Sequence, residues 1–429
     1  MKVIFLGHCS YYTIANFSEA LRKNIKDIEI TVVNPVKPGG NNITEDELKV
    51  FDRVIDFPLK RNIRLNKQNK SESLSEILKN KFKRRILIKN TLLFRFNSVI
   101  NQIKSNAEEI EYTRILSKLL KDYDIYHYHY LDPEFLLTLK YFSKDKKVLM
   151  TFWGSDLFQI SGTDNYKKQI KALNRADLIT VNAIEIKETM LSKFGRNLES
   201  KVRYADFGLN NSKLDMIDQR NKNEAESCFR KTYSIPEDKI IIAVGYSGSS
   251  KQRHIEILNT LEKLKPEIKE KIFAVLPLTY GLQYEKGNYL QKVKDVCKSV
   301  GFGSLVLDKF MSPDELTDFI ISSKIKLNLR ETDAMNAAML ESLYAGSIVI
   351  NGAWLPYGKL RRIGVYSREI TDLEELIPLV TYLTENLEEE IKKTDTNPEL
   401  IRKNFLYDNV ISDWEKIYDE LMNKILTEQ

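Results

Sequence analysis

Residues 330–350 read RETDAMNAAMLESLYAGSIVI. Two carboxylates, Asp333 and Glu341, stand eight positions apart, with almost only small or apolar residues between them. Ahead of this stretch IKLNLR (325–330) reads as a buried strand, and SIVING (347–352) reads as the next one. A helix expected to begin near Ala334 would carry Asp333 at its mouth and Glu341 a little over two turns further in. A carboxylate deep in a helix of small residues needs partners, because an isolated buried charge is costly. Sugar or ribose hydroxyls suit it, since they donate to both oxygens. The competing reading is an N-capping Asp and a surface Glu.

The same alternation extends outward in both directions. Towards the N-terminus of this half, KIIIAVGYS, KIFAVLPLTYG and SLVLD read as strands, with helices HIEILNTLEKL, YLQKVKDVCKSVG and SPDELTDFIISS between them. In the first half KVIFLG, IEITVVN, FDRVIDF, DIYHYHY, KKVLMTFWG and DLITVN read as strands. Helices are expected at NFSEALRKNI and near 108–120, 134–142 and 167–174. Strand and helix in turn imply a parallel sheet covered on both faces. The polar stretch NNSKLDMIDQRNKNEAE (210–226) breaks the pattern. The expected class is therefore α/β, with two doubly wound halves facing a cleft: residues 1–209, a linker at 210–235, residues 236–400, and a C-terminal helix over 401–429 that packs back towards the first half.

The chain of 429 residues is too long for a single core and fits two domains. No apolar run approaches the roughly 18–20 residues needed to span a bilayer. MKVIFLGHCS has a short apolar run and no small-residue cleavage site, so it reads as a first strand. Three scattered cysteines, Cys9, Cys228 and Cys297, argue against a disulfide framework or a zinc site and fit a reducing cytoplasm. The net charge of +6 is mild, but thirteen Lys and Arg against two acids lie between Lys60 and Lys104, interleaved with apolar residues. This is either a solvated basic surface or a basic, partly apolar surface that rests on an anionic membrane. No nucleic-acid-binding motif accompanies it.

Further stretches carry candidate chemistry. In VGYSGSSKQRHIEIL (244–258) a strand runs into a Gly-Ser loop and then a helix. Gly245 and Gly248 admit close backbone approach, Ser247 and the loop amides suit an anion, and Lys251, Arg253 and His254 add polar and positive groups. The spacing matches neither a P-loop nor the dinucleotide fingerprint, and an ordinary glycine turn is the plain alternative. In TFWGSDLF (151–158) a strand ends at Gly154, Phe152 and Trp153 form an apolar wall, and Ser155 or Asp156 caps the segment beyond it. His8 comes after Gly7 at the end of the first strand, where a general base would reach a ligand. His127 and His129 share one strand face and read as packed histidines, and Asp122-Tyr123-Asp124 reads as a turn at the far end of the sheet.

Together these stretches resemble glycosyltransferases of the GT-B fold, which have two Rossmann-like domains with the donor between them. Asp333 to Glu341 is similar to the E-x7-E helix of glycosyltransferase family 4, with Asp333 in place of the first Glu. The resemblance implies that Glu341 holds the donor ribose and that Asp333, Asn336 and Ala337 face its phosphate or sugar. Tyr246 stands where an Arg is usual, and Trp153 stands where many members have a His. GYSGSSKQRHIEIL, VLPLTYG and FWGSDLF resemble the TDP-4-acetamido-4,6-dideoxygalactose transferase family, which acts on a lipid-linked saccharide.

The resemblance implies a metal-independent glycosyltransferase with no cofactor beyond a UDP- or TDP-sugar donor. Gly245, Ser247, Gly248, Lys251, Arg253 and His254 would take the diphosphate, and closure of the two domains would complete the site. A lipid-linked or other glycan acceptor would enter past His8, Trp153 and Asp156, at the cytoplasmic face of a bacterial membrane. In an inverting reaction His8 or Asp156 would be the base. Competing readings are a sugar-nucleotide epimerase, a protein O-glycosyltransferase, and a non-catalytic subunit that stabilises a partner transferase.

Overall fold

The computed structural model describes residues 1–7, 11–36, 49–58, 65, 67–133, 135–282, 285 and 287–427. The chain divides into two compact units. The first comprises Met1–Val181, Leu191–Arg203 and Asp413–Gln429, and the second comprises Asn182–Met190 and Tyr204–Ser412.

The first unit is built on a sheet of seven strands: β1 (Lys2–Leu6), β2 (Glu29–Val36), β3 (Arg53–Pro58), β4 (Ile125–His129), β5 (Lys147–Thr151), β6 (Leu178–Val181) and β7 (Val202–Tyr204). Their order is β3-β2-β1-β4-β5-β6-β7. β1 pairs in parallel with both β2 and β4, in register Val3↔Ile30 and Val3↔Ile125. Every residue of β4, β5 and β6 is buried, as expected for strands covered on both faces. Trp414 and Tyr418, one turn apart on the helix Tyr407–Thr427, are fully buried here. The Trp414 ring lies 4.7 Å from that of Phe17, and the Tyr418 hydroxyl is 2.7 Å from Nδ1 of His127. The Asp122–Asp124 turn lies at the amino end of the sheet, where Asp124 accepts a hydrogen bond from the Lys2 amide at 2.8 Å. Between β3 and β4 the described residues form three helices, Lys67–Lys79, Lys81–Leu92 and Phe96–Leu119.

The described residues of the second unit form a sheet of six strands: β8 (Ile240–Val244), β9 (Ile272–Pro277), β10 (Gly303–Leu307), β11 (Ile325–Asn328), β12 (Ile348–Gly352) and β13 (Arg368–Ile370). Their order is β10-β9-β8-β11-β12-β13. Alternate residues of β8 serve two cores. Ile242 and Val244 pack with Leu276, Leu327 and Ile350, whereas Ile241 and Ala243 pack with Val275, Phe229 and Phe319. The stretch expected to be a linker is helical. Asn210 caps helix Asn211–Gln219 by accepting from the Ser212 amide, and Asn221 caps helix Lys222–Tyr233. Leu214, Ile217 and Ala225 bury against Leu340 and Leu343. Among the described residues no helix is long and apolar enough to cross a membrane.

Candidate functional site

In the second unit the chain passes from β8 to β9 and β10 on one side, and from β11 to β12 and β13 on the other. β8 and β11 are neighbours, in register Leu327↔Val244, so they flank the point where the strand order reverses. In open α/β sheets ligands bind outside the carboxyl ends of the strands at such a point. The Gly-Ser loop leaves β8 and the two-acid segment leaves β11, so two stretches eighty residues apart in sequence emerge side by side.

The loop is held from several directions. The Gly245 amide donates to the Leu327 carbonyl at 3.0 Å. Gly245 has φ +66°, and a Cβ there would stand 2.9 Å from Nε2 of His254 and 3.0 Å from Oε1 of Gln252. Only glycine meets both demands without strain. A Cβ on Gly248 would press on Leu282 at 2.8 Å. Ser247 is buried and accepts from Nε2 of Gln252 at 3.0 Å. Arg253 sits left-handed, φ +62°, ahead of the helix His254–Leu261, with its guanidinium 5.6 Å over the Trp354 ring. Lys251 pairs with Glu331, and both are well exposed, so the pair is cheap to break. His254 is buried with Nδ1 3.0 Å from the Tyr289 hydroxyl, and burial pulls its pKa down to about 4. It is therefore neutral near pH 7 and adds no charge to the loop.

The two acids differ from expectation in detail. The helix begins at Ala337, not near Ala334, because Asn336 is its cap: Oδ1 of Asn336 accepts from the Met339 amide at 2.8 Å. Asp333 precedes that cap and is buried in a polar network. Oδ2 of Asp333 accepts from Nδ2 of Asn336 at 2.7 Å and from the Tyr357 hydroxyl at 2.9 Å. Oδ1 accepts from the Ala334 amide at 2.9 Å, and the Arg330 guanidinium is 3.6 Å away. Nδ2 of Asn328 donates to the Tyr357 hydroxyl at 3.2 Å and to Oδ1 of Asn351 at 2.8 Å. Burial raises the Asp333 pKa, against Arg330, Tyr357, Asn336 and the Ala334 amide. Oδ2 also lies 3.3 Å from the Tyr246 hydroxyl, so both Asp333 oxygens are occupied within the fold. Ala337 is exposed at the first turn of the helix.

Glu341 is also buried, and its partner is a cation: Nζ of Lys213 lies 3.4 Å from Oε1. Lys326, on β11, is buried and donates to the Gly245 carbonyl at 3.0 Å. Burial raises the Glu341 pKa against the pull of Lys213 and Lys326, and burial lowers that of Lys326 to about 8 against the pull of Glu341. Sequence reasoning missed Lys213, Lys326, Arg330 and Tyr357. Arg330 alone carried a local signal, as a cation three residues before Asp333.

In the first unit Asp156 is fully buried, and three backbone amides donate to it: Leu131 at 3.0 Å, Trp153 at 2.9 Å and Leu157 at 3.1 Å. Burial lifts its pKa to about 6 against those three amides. It staples the turn after β5 to the end of β4, with Trp153 part-exposed beside it. His127 and His129 are fully buried, their rings 3.7 Å apart. His8 lies outside the described residues. Among the described residues no three His, Cys, Asp or Glu side chains stand where they could share a metal ion.

No model of a known protein family matches the sequence, and no curated protein matches it. Solved structures match it along its whole length. Anabaena HepE in complex with UDP and glucose superposes with a TM-score of 0.68 at 11% identity, over 99% of this chain and 100% of that one. A glycosyltransferase from Rickettsia africae gives 0.68 at 14% identity, over 98% of each chain. Sucrose-phosphate synthase from Thermosynechococcus elongatus gives 0.68 at 11% identity, over 99% of each. With its two parallel-sheet Rossmann-like units, the chain has the GT-B fold.

Proposed function

We propose that the chain is a glycosyltransferase that moves a sugar from a UDP- or TDP-sugar to a lipid-linked saccharide or other cell-surface glycan, without a metal. The observation that carries this reading is the convergence of the Gly245–Arg253 loop and the Asn336-capped helix on the switch point between β8 and β11. HepE has also been solved with UDP-glucose, and an Escherichia coli structure similar to this chain (TM-score 0.62) holds UDP-2-fluoro glucose.

The donor diphosphate lies along Gly245, Ser247 and Gly248. Lys251 turns from Glu331 to meet it, and Arg253 and His254 close the loop side. The first amides of the helix at Ala337 point their partial positive charge at the donor. Arg330, next to Tyr246, supplies a guanidinium on the flank where Tyr246 provides none. These groups stabilise the charge that develops on the leaving diphosphate. Glu341 holds ribose hydroxyls, with Lys213 keeping it ionised. The first unit takes the acceptor past Trp153, with His8 as the base to test in an inverting reaction, and its basic 60–104 segment meets an anionic membrane at the cytoplasmic face. Asp156 shapes the Trp153 turn.

The test is thermal stability of the wild type and of Glu341→Ala with UDP, TDP and GDP. A nucleotide at a hundred times its Kd stabilises a binding fold by about 2.7 kcal/mol. Such a shift with one nucleotide, lost in Glu341→Ala, is expected. No shift with any of them sinks the donor site and favours a non-catalytic partner subunit.

A further inference from the structure

Nine of the sixteen large apolar side chains left exposed among the described residues fall between Leu74 and Ile100. They belong to the helices between β3 and β4 and to the turn at Leu93 and Phe94 that joins two of them. These helices have their own interior. Ile77, Leu87 and Ala107 are buried, the Ser73 hydroxyl donates to the Ile103 carbonyl at 2.7 Å, and Nζ of Lys83 donates to Oδ1 of Asn106 at 2.5 Å. The apolar end at Leu92, Phe94, Phe96 and Ile100 contributes little to that interior, with 72%, 79%, 58% and 60% of each residue exposed.

Phe94 is the most exposed of them, and its backbone is unfavourable for its type. The helix Lys81–Leu92 ends with the Arg95 amide bonded to the Asn90 carbonyl and the Phe94 amide to the Thr91 carbonyl, with Phe94 at φ +52°. That pairing puts Phe94 at a helix stop usually filled by glycine or asparagine. Neither the backbone nor the core gains from a phenyl ring there.

The stretch that carries this end is basic, although Lys83 and Lys104 stand 4.0 and 3.9 Å from Glu109 and Glu108 just beyond it. From residue 77 to residue 107 the chain carries eight Lys and Arg and no Asp or Glu. Lys81, Arg85 and Lys167 line, with Asn80, a cavity of about 530 Å³. Arg85 also borders a second cavity of about 350 Å³, walled otherwise by Ile88, Lys89, Leu92 and Leu93. A cationic recess that shares a wall with an apolar one suits a phosphate attached to hydrocarbon. A second copy seated on the same face would set like charges against each other.

We infer that the 81–100 hairpin is a membrane-docking element, with Leu92, Phe94 and Phe96 among the acyl chains of a bilayer rich in anionic phospholipid and the headgroup phosphates on Lys81, Arg85 and Lys89. The inference rests on the proposed function for placing the acceptor at a bilayer, and it assigns the contact to named residues. Two signals, apolar insertion and basic attraction, are what stable attachment requires.

The test is flotation of the full chain with vesicles of phosphatidylcholine alone or mixed with phosphatidylglycerol, at low and high salt. The wild type is expected to float with the mixed vesicles at low salt and hardly with phosphatidylcholine. Phe94→Gly is expected to lose at least about tenfold in partitioning with an equal or higher melting temperature, because glycine relieves the left-handed turn. Arg85→Glu with Lys89→Glu is expected to lose more than about tenfold, since each basic residue near an anionic surface is worth roughly fivefold. The inference is overturned if the wild type floats with neither vesicle or equally with both, or if Phe94→Gly floats as the wild type does. A dimer in solution that Phe94→Gly converts to monomer, without flotation, also overturns it in favour of a second copy. Stabilisation by UDP or TDP is measured on the same preparations. Flotation without any nucleotide shift sinks the donor site alone and leaves the docking element standing.

Discussion

The hydroxyl of Tyr246 lies 3.3 Å from a carboxylate oxygen of Asp333, and the Arg330 guanidinium donates to that hydroxyl at 2.5 Å. Tyr246 follows β8 and Asp333 follows β11, so this contact joins the segments that leave two neighbouring strands. The phenol bridges to the buried acid, and the guanidinium reaches the phenol from the β11 side. The three side chains form one network.

Because they share one network, their mutational effects should not add. Asp333→Ala strands Arg330, Asn336, Tyr357 and the Ala334 amide, and is expected to cost about 2–4 kcal/mol. Tyr246→Phe removes only a long hydrogen bond to Asp333 and the one from Arg330, about 1 kcal/mol. Chemical denaturation of both single variants and the double should show at least about 0.5 kcal/mol of coupling. Costs that simply sum would mean that the two sites are independent.

Gly245→Ala should harm both stability and nucleotide binding. The left-handed backbone costs an L-residue roughly 1–2 kcal/mol, and the added methyl meets His254 and Gln252 at 2.9–3.0 Å. His254→Ala opens space on one side and should return part of the loss in the double variant. Gly245→Ala at wild-type melting temperature would show that the loop relaxes freely.

Much of this site is legible in residue order, and the unread part has definite causes. Ile240–Val244 and Ile348–Gly352 lie in strands covered on both faces, so their apolar runs are nearly unbroken and mark strands. Glycines after β8 mark the turn. The start of the helix at Ala337 is ambiguous in sequence because Asp333 and Asn336 are both good caps, and only the bond to the Met339 amide decides between them. Tyr357 and Lys213 reach the site through tertiary packing, with no local spacing to announce them. The helices at 211–233 are hidden in a polar stretch whose buried apolar residues are few, Leu214, Ile217, Ala225 and Phe229, although the spacings within each pair, three and four, are helical.

Asp156 separates a structural from a catalytic role. Asp156→Ala leaves the Leu131, Trp153 and Leu157 amides without an acceptor in a buried turn, at about 3 kcal/mol. Asp156→Asn keeps one acceptor oxygen and should cost less. Melting temperatures of the two variants beside transfer rates decide the matter. Lost turnover with an unchanged melting temperature would make Asp156 a base, against the geometry.

The His127–His129 pair should leave a mark on the pH dependence of stability. Burial holds both pKa values well below 6.5, and for His127 the neighbouring His129 adds to the effect. In the unfolded chain each titrates near 6.5. As pH falls below that value the unfolded state takes up protons that the folded state refuses. The stability contribution of each neutral ring is therefore complete above about pH 6.5 and shrinks below it, by about 1.4 kcal/mol per pH unit. Other buried groups, Asp156 among them, titrate too, so the informative quantity is a difference. His127→Gln retains polar atoms for Tyr418 and Thr151 but does not titrate. Its cost relative to the wild type, from denaturation at several pH values, should be constant above pH 6.5 and fall by about 1.4 kcal/mol for each unit below. A cost that stays constant down to pH 5 would mean that His127 is protonated in the fold, and the buried pair would have to be redrawn as a charged one.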